Sequence, residues 1–139
     1  MGKLASMPRR LAFLVPVIML VLAGCSSVGE REDAASSVAL RMLTAIASDD
    51  GATACDTLAP ETLQELEQSA EQPCAQAILD EDLPAPGQVR QSRVYGQWAQ
   101  VRLTGDTVFL AVFRGGWRVV AAGCTPRGER PYDCALQGS

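Results

Sequence analysis

Residues 89–122 read VRQSRVY-GQ-WAQVRL-TGD-TVFLAVF-RGG-WRVVAA, and this stretch decides the fold class. Four strand-like runs, Val89 to Tyr95, Trp98 to Leu103, Thr107 to Phe113 and Trp117 to Ala122, follow one another closely. The separators Gly96-Gln97, Thr104-Gly105-Asp106 and Arg114-Gly115-Gly116 have hairpin length. Short glycine-containing loops of this kind join antiparallel strands. The stretch therefore predicts a four-stranded antiparallel meander. In the second run Ala99, Val101 and Leu103 alternate with Gln100 and Arg102, so one face meets water. The third run differs. Val108, Leu110 and Val112 lie on one face and Phe109, Ala111 and Phe113 on the other, and both sets are apolar. One set must pack on helices. The other must be covered by the C-terminal tail, a second subunit or a partner, because a large exposed apolar patch is a liability.

Upstream of the meander the pattern is helical. Asp33 can cap a helix running to Ala47, with Ala35, Val38, Met42 and Ile46 on one face and Ala39, Leu43 and Ala45 beside them. Asp49-Asp50-Gly51 stops it, with Gly51 suited to a left-handed turn. A short helix from Thr53 to Leu58 carries Cys55. Pro60 suits the first turn of a third helix, with Glu61 near its positive end, and Pro73 opens a fourth from Cys74 to Leu79. Leu83-Pro84-Ala85-Pro86-Gly87 then breaks the register. The expected class is α+β, with N-terminal helices packed on the sheet.

The first 24 residues have a different character. Lys3, Arg9 and Arg10 form a positive start, and Leu11 to Val21 is an apolar run too short for the ~20 residues of a membrane span. Leu22-Ala23-Gly24-Cys25 follows, then Ser26-Ser27. This order resembles the signal and lipobox of bacterial lipoprotein precursors. The resemblance implies cleavage before Cys25 and a diacylglycerol thioether on Cys25, a palmitate-type anchor in the outer face of the cell membrane. In a bacterium with two membranes it implies the outer membrane. Two or three acyl chains anchor stably where one does not. The expected organisation is residues 1–24 as signal peptide, 25–32 as a short lipidated tether that keeps the domain close to the bilayer, and 33–139 as one domain.

Removing Cys25 leaves Cys55, Cys74, Cys124 and Cys134. An even number in an exported domain reads as two disulfides. Three connectivities exist, and locality favours Cys55–Cys74 and Cys124–Cys134, each stabilising by roughly 2.5–3 kcal/mol in the chain-entropy account. A zinc site built from four thiolates, or a redox pair, would call for C-x-x-C spacing that is not present. The tail from Gly123 to Cys134 then reads as a disulfide-closed cap, with Tyr132 as a packing anchor.

Charge is divided unevenly. The 139 residues contain 12 Lys+Arg, 16 Asp+Glu and no His. Residues 25–87 hold thirteen acids and two arginines, Arg31 and Arg41, whereas residues 88–139 hold three acids and seven arginines. An acidic helical side and a basic sheet side would orient the domain near an anionic membrane; plain solubility with inter-layer ion pairs is the simpler reading. The net charge of −4 argues against nucleic acid as a partner. Without histidine there is no His-based triad and no His-ligated zinc, so no metal or other cofactor is expected.

Helices first, then a curved meander ending in Gly116-Trp117-Arg118-Val119-Val120, resembles the nuclear transport factor 2-like (cystatin-like) α+β cone over roughly residues 33–122. The long first helix running into Asp49-Asp50-Gly51 is part of the likeness, as is the gap to a last strand beginning Gly-Gly-Trp. The resemblance implies a pocket between helices and concave sheet. That family includes enzymes, binding modules and accessory proteins, so it does not choose among them.

Candidate contact residues are Tyr95, Trp98, Phe109, Phe113 and Trp117, which pack in a sheet or line a ligand pocket. Phe109 and Phe113 are the favoured pair for a functional surface. Arg102 and Arg118 would suit an anion or simply a wet strand face. Asp49 and Asp50 suit an acid/base pair or a cation, but adjacent side chains diverge and the context is that of a helix stop. The leading expectation is a non-enzymatic envelope lipoprotein that binds a protein partner or a small apolar ligand. One alternative is a cone-pocket hydrolase or isomerase using a buried carboxylate, Asp56 or Asp106, recognisable by a raised pKa. Another is a structural role at the cell wall.

Overall fold

The computed structural model describes residues 27–139 and Gly2. The signal segment and Cys25 lie outside the described residues. Among the described residues four helices precede the sheet: α1 (Val28–Ala47), α2 (Gly51–Cys55), α3 (Pro60–Ala70) and α4 (Cys74–Asp80). Among the described residues no helix is long and apolar enough to cross a membrane.

Helix α1 begins five residues earlier than Asp33. Ser27 is its cap: the Ser27 hydroxyl accepts from the Glu30 N–H at 3.1 Å, and the Ser27 N–H donates to Glu30 Oε2 at 2.7 Å. This reciprocal pair satisfies two end donors and outweighs the cost of Gly29 in the first turn. The segment expected as a tether is therefore helical from Val28 onward. At the other end Asp49, not Gly51, takes the left-handed conformation, with φ 57°. Aspartate tolerates that region better than most side chains. Gly51 has another task. It is buried as the first residue of α2, and a Cβ there would lie 1.9 Å from the Ala75 carbonyl oxygen of α4. Only glycine lets these two helices approach so closely. Cys55 at the end of α2 is joined to Cys74 at the start of α4. Glu67 Oε1 of α3 accepts from the Cys74 N–H at 2.9 Å, which closes the start of α4.

The sheet has five strands, not four. They are β1 (Val89–Tyr95), β2 (Trp98–Leu103), β3 (Asp106–Phe113), β4 (Gly116–Arg127) and β5 (Arg130–Gln137), antiparallel in the order β1-β2-β3-β4-β5. The tail expected as a cap is instead a long hairpin. Strand β4 continues past Ala122, and Cys124 sits directly opposite its disulfide partner Cys134. Pro131 in β5 conceals the strand in the sequence, but an edge strand accommodates a missing N–H. Beside β4 on the same side, the Ala59 N–H donates to the Val119 carbonyl and the Val119 N–H to the Thr57 carbonyl, each at 2.8 Å. The chain between α2 and α3 thus covers the part of β4 that β5 does not reach.

Met42 and Leu43 of α1, Ile78 of α4, and Val101, Val108, Leu110 and Val119 of the sheet fill the space between the two layers. Ala35 and Ala39 are fully buried, and their small size lets α1 lie close on the strands. On β3, Val108 and Leu110 pack toward the helices, whereas Val112 at the strand end is partly exposed. The opposite face of β3 is covered in part by the new hairpin. The Tyr132 ring meets Phe109 edge to face at 5.0 Å, and Gln100 Nε2 donates to the Tyr132 hydroxyl at 3.3 Å.

Candidate functional site

The five candidate aromatic residues separate into three settings. Phe109 is half-buried beneath Tyr132. Trp117 is half-buried on the helix side, where the Arg31 guanidinium of α1 lies 5.5 Å from its ring centroid. Tyr95, Trp98 and Phe113 stand in solvent, 56%, 58% and 38% exposed. By strand register these three share the face of the sheet turned away from α1. Tyr95 pairs across the β1–β2 turn with Trp98, and Trp98 pairs with Ala111, two residues before Phe113. Trp98 and Phe113 line one groove of about 270 Å³, floored by Val120 and Ala121 and bounded by Glu61 and Gln137.

A second cleft of about 490 Å³ opens between α1 and the β3–β4 turn. Its walls include Val38, Arg41, Asp56, Trp117 and Arg118. Arg118 donates through Nη1 to the Asp56 backbone carbonyl. Of the two arginines of the acidic helical half, Arg41 is on the cleft wall and Arg31 lies over Trp117. Arg31 also donates through Nη2 to the Gly96 carbonyl at 2.6 Å. Arg102 lies exposed on β2.

The carboxylates divide by task. Asp106 heads β3 and is 7% exposed. Its Oδ1 accepts from the Thr107 N–H at 2.7 Å and the Cys124 N–H at 3.0 Å, and its Oδ2 from the Gly123 N–H at 3.2 Å. Burial pushes its pKa above the ordinary carboxylate value, and the three backbone donors oppose that shift. Both oxygens are thus committed to holding the start of β3 against the bend of β4 at Gly123, whose φ is 64°. Asp56 is exposed at the end of α2. Asp50 caps α2, accepting from the Thr53 N–H at 3.0 Å, and hydrogen bonds from Thr53 hold its carboxyl below the ordinary range. The Asp49-Asp50 pair is accordingly a helix junction. Among the described residues no group of three or more Cys, Asp or Glu gathers as a metal site. The four thiols once open to a zinc reading sit in two separate disulfides.

The sequence pairs Phe109 with Phe113, whereas the structure sets Phe109 against Tyr132 and Phe113 beside Trp98, and the Arg31 bridge between α1 and the β1–β2 turn had no sequence signal. Compared with protein-family models, with curated proteins and with solved structures, the chain has no match in any of the three.

Proposed function

We propose that this chain is a lipid-anchored domain on the outer face of a bacterial membrane that works by contact and not by catalysis. The observation that carries the contact reading is the set of exposed aromatic rings, Tyr95, Trp98 and Phe113, on the solvent face of the sheet. Soluble surfaces hold few such clustered rings unless something binds them. The middle of the space between helices and sheet, where a cone-shaped fold would keep a pocket, is filled by Met42, Leu110, Val119 and their neighbours, and the cleft of about 490 Å³ lies at its rim, between α1 and the β3–β4 turn. Of the two carboxylates that an enzyme reading would use, Asp106 has both oxygens engaged by backbone N–H groups, and Asp56 is exposed on the cleft wall and not buried. The Leu22-Ala23-Gly24-Cys25 sequence supports the anchor, and the helices-then-meander order supports kinship with the nuclear transport factor 2-like cone.

The anchor is tested by metabolic labelling. Radiolabelled palmitate enters the wild type and not the Cys25→Ser variant, which leaves the membrane fraction or stays as uncleaved precursor. Labelling that persists in the variant sinks the lipoprotein reading.

A further inference from the structure

The tether is shorter than the sequence suggests. Because Ser27 already caps α1, Cys25 stands only two residues ahead of a fixed point. Consecutive Cα atoms are 3.8 Å apart, so Cys25 lies within about 8 Å of Ser27. If Cys25 carries lipid, the end of the domain from which α1 starts is pressed against the bilayer surface. What this end displays is therefore what the lipid meets.

Three elements converge there. Arg31, one turn into α1, donates to the Gly96 carbonyl in the β1–β2 turn and lies over Trp117, which follows the β3–β4 turn. The Val112 N–H donates to the Gln97 carbonyl at 2.9 Å, which places the end of β3 beside the same turn. Six large apolar side chains are conspicuously exposed among the described residues. Five of them, Val28, Tyr95, Trp98, Val112 and Phe113, belong to this end; Val89 alone does not. Val28 is 63% exposed although it opens the first helix. A Cβ added at Gly96, Gly115 or Gly116 would meet nothing within 4 Å, so one side of each turn is open.

Tryptophan and tyrosine are the side chains that settle at the headgroup level of a bilayer, with an apolar body and a polar edge. We propose that Val28, Tyr95, Trp98 and Phe113 form the surface that lies in the headgroup layer of the membrane to which Cys25 is joined. This rests on the lipid-anchor reading and names the partner of the same aromatic surface. The start of α1 carries Glu30, Arg31, Glu32 and Asp33, and the strand ends and turns beside it carry Arg93 and Arg114, so the formal charges of these six residues cancel. Contact is therefore apolar and aromatic, and it needs no anionic lipid. The acidic helical half does not prevent it.

The test uses the lipidated protein in phosphatidylcholine vesicles whose acyl chains carry bromine near the headgroup. The chain has two tryptophans, so Trp117→Phe reports Trp98 and Trp98→Phe reports Trp117. We expect Trp98 to lose more than half of its emission relative to unbrominated vesicles, and Trp117 to lose little. Adding phosphatidylglycerol should leave the loss unchanged. Protein that sediments with vesicles while Trp98 stays bright overturns the inference and leaves the anchor standing, since the aromatic surface then faces a protein partner or solvent. Quenching of Trp117 instead of Trp98 overturns it too. Purified mature protein that fails to sediment removes the anchor, and the inference with it. Wild-type protein, which needs no substitution to fold, should show the intermediate loss that the two variants predict.

Discussion

Asp106 illustrates how a single residue can be read two ways. In the sequence it belongs to a hairpin separator, where aspartate is common for its turn-forming side chain. In the fold it is buried at the head of β3, receiving three backbone N–H groups. Its pKa is raised in the native state, so ionisation costs the folded form more than the unfolded one. Its contribution is most favourable below the ordinary aspartate value and declines as pH rises toward the native value. Asp106→Asn keeps one acceptor oxygen and carries no charge. Its stability relative to wild type should therefore improve as pH rises from about 3 to 7. Asp106→Ala leaves three donors without an acceptor and should cost about 1–3 kcal/mol across that range. Urea unfolding at stepped pH checks both, and a relative slope of the opposite sign for Asp106→Asn would refute the burial argument.

The helices α2 and α4 are elements that cannot stand alone. They have 5 and 7 residues, below the length at which isolated helices persist. Two features hold them: the Cys55–Cys74 bridge, and the contact in which Gly51 meets Ala75. The second bridge has a different setting. Cys124 and Cys134 face each other in a hairpin whose backbone ladder already joins Ala121 to Gln137 and Thr125 to Asp133. Replacing Cys55 and Cys74 by Ala should lower global stability by about 3 kcal/mol, as the chain-entropy account gives for a loop of this length. Replacing Cys124 and Cys134 should mainly raise amide exchange in the hairpin beyond Gly123, with the smaller shift in the unfolding midpoint. The reverse order would mean that the hairpin, not the helical pair, is the weaker unit.

At the scale of the molecule, the two faces of β3 are resolved by different parts of the chain. The helices and sheet enclose Val108 and Leu110, and the returning hairpin lays Tyr132 on Phe109. Phe113, further along the same face, is left outside that cover and joins Trp98 in the groove. The pair Phe109 and Phe113 should therefore respond separately to substitution. Phe109→Ser should cost about 2 kcal/mol through lost packing against Tyr132, a fall of roughly 10 °C in Tm. Phe113→Ser should leave Tm within a few degrees. Thermal unfolding followed by circular dichroism distinguishes them, and equal losses would place both rings in the core. The exposed aromatic surface is thus smaller than the sequence suggested and lies toward the end where α1 begins.

What the sequence by itself determined is what neighbouring residues decide among themselves. Period-two alternation and two- or three-residue glycine turns placed β1, β2 and β3 nearly to the residue. Pro60 and Pro73 marked the starts of α3 and α4, and short separations paired the four cysteines as the structure has them. Ser27-Val28-Gly29-Glu30 carried the start of α1 just as locally, although Asp33 competed for that role. The tertiary structure alone decided whatever joins distant positions. Arg130-Pro131-Tyr132-Asp133-Cys134 becomes an edge strand because β4 offers it a ladder, not because its composition demands one. Asp106 finds two of its three donors 17 and 18 residues away, Gly51 is needed for a carbonyl on another helix, and Arg31 reaches a turn 65 residues on. The aromatic residues of the candidate site were legible as types. Their gathering at the end of the molecule from which the chain leads back to Cys25 was not, because alternation tells which face of its strand a side chain occupies and nothing about which end of the fold lies beside it.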